Sequence, residues 1–226
     1  MKKLRAMFIV EGSGKIVSRE RAISSFIKLH ASFNGNIEIT QSDEERVVVE
    51  CDDNLQEYID VNNMGRTLYI TDGGGIRKAK YTHILVRVFL RQVDTIISSM
   101  HGNLYSANCI TAQESLYLEI NSHGNTSLQL KTPSFKCLAR CQGDVELSGE
   151  CGEASIKTMM QGDLHARKLL AGKITLKNMG EGKMEIFGKE QIMIRHMGQG
   201  SVHYYGPGQL KDVNMMGDGE IKHKTE

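Results

Sequence analysis

Asp144 and Asp163 form the pair in this chain whose chemistry is easiest to name. Two carboxylates held side by side can act as acid and base, or as acid and nucleophile, in cleaving a polysaccharide. Their successor in the same pattern is Lys183, which breaks the acidic cluster, and exposed turn carboxylates lack the apolar surroundings that would separate their roles. His101 and His123 are separated by a comparable stretch of chain and invite a zinc reading, but no acidic or thiol partner stands nearby in sequence, so no metal is expected. Tyr105, Tyr117, Tyr204 and Tyr205 are candidate platforms for sugar rings, and equally ordinary strand residues. No catalytic residue, cofactor or metal ligand is assigned on these grounds, and the ligand-binding residues stay open.

The five cysteines, Cys51, Cys109, Cys137, Cys141 and Cys151, are odd in number and contain no C-x-x-C spacing. On an extended strand Cys137 and Cys141 stand roughly 13 Å apart, too far to share a metal or a disulfide. Cys141 and Cys151 can meet only across a turn, so whether they pair is open and buried thiols are the expectation.

These residues are placed by a recurring glycine: Gly102, Gly124, Gly143, Gly162, Gly182, Gly200 and Gly219, spaced 18 to 22 residues apart. A sustained period of this length marks an array of stacked units. After each glycine, polar and apolar residues alternate, as in Gly182-Lys183-Met184-Glu185-Ile186, which is the period of a half-buried strand. Gly152 and Gly172 lead similar runs at half-period, so each repeat should hold two short strands joined by turns. The glycines are expected at turns that need positive φ. Met100, Cys141, Met160, Met179, Met197 and Met216, two or three places earlier, form a column expected to fill a buried corner.

Stacking also aligns two polar ladders. The residues before the glycine are His101, His123, Gln142, Gln161, Glu181, Gln199 and Asp218; those after it are Asn103, Asn125, Asp144, Asp163, Lys183, Ser201 and Glu220. They are solvated turns or an extended binding edge.

The chain of 226 residues is long enough to bury a sizeable core, and 28 basic against 27 acidic residues leave a net charge of +1 with no basic stripe, so nucleic acid is not an expected partner. Glycines number 7 in residues 1–95 and 16 beyond, which divides the chain. The expected architecture is all-β: a strand-rich portion over residues 1–90 that packs on or caps a right-handed parallel β-helix over 91–226, in one continuous domain. The competing fold is an antiparallel meander of ten-residue units. In the first portion, strands are expected at Asn36 to Gln41, Arg46 to Glu50, Thr67 to Thr71 and Ile84 to Leu90. One helical turn with an Asx cap is expected after Asp53-Asn54, and a loop at Asp72-Gly73-Gly74-Gly75. Pro133 and Pro207 should lie in turns, and the charged tail 221–226 should help close the solenoid.

The basic opening around Lys2 and Lys3 is followed by an apolar run that stops at Glu11, shorter than a secretory signal needs. No transmembrane segment is evident.

Phe26, the turn at Gly35 before Ile37 and Ile39, Gln41, the strand Val47 to Glu50, Asp52-Asp53-Asn54-Leu55, and Leu68 with Ile70 resemble the opening of a bacterial family of unknown function, the putative auto-transporter adhesin head (head GIN) domain. The later Gly-x-Gly turns and the segment GQGSVHYYGPGQLKDVNMMGDGEIKHK resemble the same family, so the likeness spans residues 12 to 224. His101, His123, Gln142, Gln161 and Gly180 replace turn serines of the family pattern. The resemblance implies a parallel β-helix, a cell-envelope or extracellular location, and a non-enzymatic adhesin that binds carbohydrate or a surface protein. A pectinase-like enzyme and a self-assembling, homo-oligomeric module are the other readings. A cytoplasmic location is the alternative suggested by the short apolar start.

Overall fold

The computed structural model describes residues 9–73 and 78–225. The glycines at 74 and 75 and the first eight residues of the basic opening therefore lie outside the described residues. The protein is nearly all β, 64% strand and 3% helix, in about 7 stacked parallel turns ~19 residues apart. Four successive strands, Thr126–Ala139, Val145–Thr158, Leu164–Asn178 and Met184–His196, show why. Their alternate residues are apolar, so one face of each buries itself. Stacking the next coil in register extends that core: Cys137 pairs with Ile156, Ile156 with Leu176, and Leu176 with Ile194. All these pairings are parallel, which rules out the antiparallel meander.

The expected half-repeat turns are instead bends inside the long strands. Gly152 and Gly172 lie within Val145–Thr158 and Leu164–Asn178, and Pro133 lies within Thr126–Ala139. They stack at one corner: a Cβ on Gly152 would come 2.6 Å from the Pro133 carbonyl oxygen, and one on Gly172 2.7 Å from that of Gly152. Proline survives in this ladder because the pairing passes from Thr132↔Cys151 to Ser134↔Glu153 without using its position. Pro207 does fall between strands.

The recurrent glycines do not need positive φ, which among the described residues is found only at Gly14, Gly65, Gly149, Gly206 and Gly217. They are required by close approach. A Cβ on each of Gly124, Gly143, Gly162, Gly182 and Gly200 would sit inside the carbonyl oxygen of the preceding glycine in the stack, and one on Gly102 inside that of Gly35. Gly35 thus belongs to the column although it lies far from Gly102 in the chain.

The chain achieves this by threading. Lys28–Ser32 and Asn36–Gln41 pair in parallel with Thr95–Ser98 and Leu104–Ser106 on one side. On the other side they pair with Thr67–Asp72 and Ile84–Leu90, so a later segment is stacked beneath an earlier one. The antiparallel strands Arg46–Asp52 and Ile16–Arg21 extend the sheet at Ile84–Leu90. The expected strands here form within one or two residues. The tail is another rung, not a cap: Glu220–His223 pairs in parallel with Ser201–Tyr205.

The helical turn after Asp52 is a 3-10 helix, Asp53–Tyr58, without a side-chain cap. Asp53 accepts the Ser13 hydroxyl instead, and Asn54 accepts the Ser13 amide and donates to the Glu11 carbonyl. Buried Asp52 accepts the Gly14 amide at 2.8 Å, the Thr82 amide at 2.9 Å and the Thr82 hydroxyl at 2.7 Å. Burial pushes this carboxyl up, but the Thr82 and Gly14 hydrogen bonds outweigh it and hold it below its ordinary value. A depressed folded-state pKa stabilises above the unfolded value, about 3.9, and that stability is lost as pH falls through the folded value. Asp52→Asn, which sets an NH2 donor where one of the two accepting carboxylate oxygens faces an N–H, should therefore lower neutral-pH stability by about 2 kcal/mol and flatten the acid limb below about pH 4. Urea unfolding midpoints across pH check this; an unchanged acid limb would refute it.

The expected Met/Cys column is two columns. Met100, Cys141 and Met160 are buried, and their place in later coils is taken by Gly180, Gly198 and Gly217. The residues one position earlier point outward: Met159, Met197 and Met216 are 46%, 50% and 56% exposed. Counting back from each glycine merged the two, because the inward position changes from methionine to glycine at residue 180.

Candidate functional site

The corner that carries the glycines also carries the candidate chemistry. In the row after the glycine, from Asn36 through Asp163, each side-chain oxygen accepts the backbone amide of the next rung. Asn36 accepts Asn103 at 2.8 Å, Asn103 accepts Asn125 at 2.9 Å, and Asn125 accepts Asp144 at 2.9 Å. Asp144 then accepts Asp163 at 2.9 Å, and Asp163 accepts Lys183 at 2.7 Å. The two aspartates therefore do stand on adjacent rungs, about 4.8 Å apart by the strand spacing. Each commits one oxygen to joining coils, as the asparagines below them do. What looks in sequence like a solvated turn, or a catalytic pair, is a hydrogen-bonded splice. Asp144→Asn keeps the acceptor and should leave stability within about 0.5 kcal/mol of the parent, while Asp144→Ala strands the Asp163 amide and should cost about 1 kcal/mol. Thermal unfolding of both variants distinguishes this role, since a purely solvated side chain would make both silent.

The row before the glycine is different. His101, His123, Gln142, Gln161, Glu181, Gln199 and Asp218 are all exposed, and among the described residues none of these side chains makes a hydrogen bond within the protein. His101 and His123 stack with ring centroids 4.5 Å apart. Among the described residues no three His, Cys, Asp or Glu side chains gather closely enough to hold a metal. A hollow of about 380 Å³ opens beside this row, lined by His123, Gln142, Gln161, Arg140 and Met159 among others.

The tyrosines do not form one platform. Tyr117 donates to Glu119 at 2.8 Å on another side of the coil from Tyr105. Tyr204 packs against the core and stacks on His223 at 4.8 Å. Tyr205 is buried, with the Arg167 guanidinium 4.4 Å over its ring.

A polar knot centred on Glu185 escaped the sequence reading. Glu185 takes Lys183 at 2.6 Å, His165 at 3.2 Å and the Tyr205 hydroxyl at 3.4 Å. Burial pushes its carboxyl up, but Lys183 and His165 outweigh it and hold it below its ordinary range. The available signal was the third position after each glycine, where His165, Glu185 and His203 alternate in charge type on successive rungs.

No cysteine is bridged; Cys51, Cys137, Cys141 and Cys151 are buried and Cys109 is half-buried. Burial pushes the Cys51, Cys141 and Cys151 thiols up to about 11, so at neutral pH they are protonated and poor nucleophiles.

The fold and this corner define a β-solenoid whose conspicuous carboxylates hold its coils together and whose free polar groups line one lateral edge. The chain belongs to the family described as "Putative auto-transporter adhesin, head GIN domain", which matches residues 25–208. Among solved structures it is similar to a putative adhesin from Bacteroides fragilis, at 24% identity and TM-score 0.87, covering 95% of this chain and 100% of that one. A putative lipid binding protein from Parabacteroides distasonis is similar at 19% identity and TM-score 0.76, covering 96% of this chain and 100% of the other. A putative adhesin from the same organism is similar at 18% identity and TM-score 0.65, with coverage of 96% and 100%. At these identities the likeness establishes the fold. No curated protein matches the chain. Among the described residues no helix is long and apolar enough to cross a membrane.

Proposed function

We propose that this protein is a non-enzymatic binding module of the cell envelope or cell exterior, an adhesin whose ligand lies along the edge from His101 to Asp218. The observation that carries this reading is the row of exposed, internally unbonded donors and acceptors beside the hollow at His123, Gln142 and Gln161. Family membership supports the adhesin class. A repeated polar edge suits a repeated polar ligand, because each rung offers the same contact again. A surface carbohydrate meets that description better than an apolar molecule. The test is binding of the intact protein to an array of glycans and surface proteins, followed by Gln142→Ala/Gln161→Ala. Binding that weakens in this variant at unchanged thermal stability supports the reading; no binding across the array, or binding indifferent to the variant, overturns it.

A further inference from the structure

A second lateral face carries two rows that the fold does not use. Lys157, Lys177 and Arg195 are paired rung to rung, and all three are exposed. Two residues further along each coil stand Met159, Met179 and Met197, followed by Met216 on the next rung. Between the two rows Thr158, Asn178 and His196 point inward and are fully buried. Strand alternation therefore puts cations and methionines on the same outer face, one beside the other. The groove between them holds about 300 Å³.

Both rows cost the isolated protein something. Like charges on adjacent rungs repel. Elsewhere the fold neutralises such side chains, with Lys173 2.9 Å from Glu153 and Lys183 2.6 Å from Glu185. Among the described residues Lys157 and Lys177 face no carboxylate, and Arg195 has only half-exposed Asp212 at 3.4 Å. Neighbouring exposed methionines are likewise unlike the single apolar residues scattered over an ordinary surface.

An occupant must supply negative charge along one line and apolar substance along a parallel line. It cannot rely on backbone hydrogen bonds here, because the amides of Met159, Met179, Met197 and Met216 donate to carbonyls of the preceding coil at 2.8 to 2.9 Å. That disfavours an added peptide strand and favours a lipid layer, whose anionic headgroups lie above its acyl chains. Flexible thioether side chains adapt to fluid chains, and lysine and arginine extend past them to the headgroups.

We infer that this face docks on an anionic lipid surface, the methionine row entering the acyl boundary and the Lys157, Lys177 and Arg195 row meeting phosphates. The inference is independent of the ligand at the polar edge, since the two tests alter different residues. The experiment is co-sedimentation of the full chain with phosphatidylcholine vesicles, with and without phosphatidylglycerol, at low and high salt. The expected result is binding only when phosphatidylglycerol is present, falling as salt rises. Lys157→Glu/Lys177→Glu should weaken it by at least about 25-fold, from about fivefold per cation removed. Met197→Ser/Met216→Ser, at two half-exposed positions, should weaken it with little change in salt dependence. Lys131→Glu/Lys173→Glu should leave it as it was. Binding that ignores phosphatidylglycerol, no binding at low salt, equal binding by the Lys157/Lys177 variant, or displacement of the protein from vesicles by an acidic amphipathic peptide would each overturn the inference.

Discussion

Gly182→Ala is expected to destabilise the protein by about 3 kcal/mol, lowering its unfolding temperature by about 6–12 °C. The added carbon would fall inside the Gly162 carbonyl oxygen, and the obstacle is backbone in a stacked coil. A flexible side chain can step aside; a backbone carbonyl moves only with its coil. The informative control is Gly14→Ala. Gly14 has φ +78° and open space around the new carbon, so only the local backbone preference is lost, about 1 to 2 kcal/mol. The ordering of the two in thermal unfolding is the test. If Gly14→Ala were the more damaging, the recurrent glycine would be a turn device after all.

Asn178→Ala is expected to be of similar size, on the order of 4 kcal/mol, for an electrostatic reason. Asn178 is fully buried and its carboxamide oxygen accepts both the Thr158 hydroxyl and the Gly180 amide at 2.8 Å. Its nitrogen lies 3.1 Å from Nδ1 of buried His196, whose Nε2 lies 2.8 Å from the Gly200 carbonyl oxygen. Since a carbonyl can only accept, Nε2 carries the proton and Nδ1 accepts from Asn178. Truncating Asn178 strands a hydroxyl, an amide and a ring nitrogen inside the solenoid, each costing about 1–3 kcal/mol. Thr158→Val removes one stranded group beforehand, so the double variant should lose less than the two single losses combined. Losses from urea titrations that simply add would mean that these residues do not act as one network.

Much of the fold was legible because its determinants are local. Alternation within Asn36–Gln41 or Ile84–Leu90 reports a buried face without reference to the rest of the chain. The regular glycine spacing reports stacking, because only a repeated coil has that use for a repeated glycine. Legibility failed where partners are distant. Gly35 could not be assigned to a column whose next member is Gly102, since residues 67–90 are stacked beneath residues 28–41 by a path that alternation does not reveal. The Asx cap at Asp53 and Asn54 failed for the same reason, as Ser13 and Glu11 compete for those side chains.

For the candidate site, the sequence aligned the residues on either side of the glycine into rows, as the coils do, but left their roles open. Residue type says that Asp144 can accept hydrogen bonds; only the neighbouring coil supplies the Asp163 amide that uses it. The absence of a basic stripe along the chain was sound in one dimension. Stacking Lys157, Lys177 and Arg195 on successive rungs makes a short one in three dimensions.

By itself, then, the sequence determined the strand character, the repeat and the glycine corner from Gly102 to Gly219, because alternation acts within a strand and the glycine period is read directly along the chain. The tertiary structure alone decided which glycines must admit a carbonyl, which methionines face solvent and which carboxylates hold coils together. Those outcomes depend on atoms brought into contact across coils, and a one-residue change of register moves a side chain from the core to the surface.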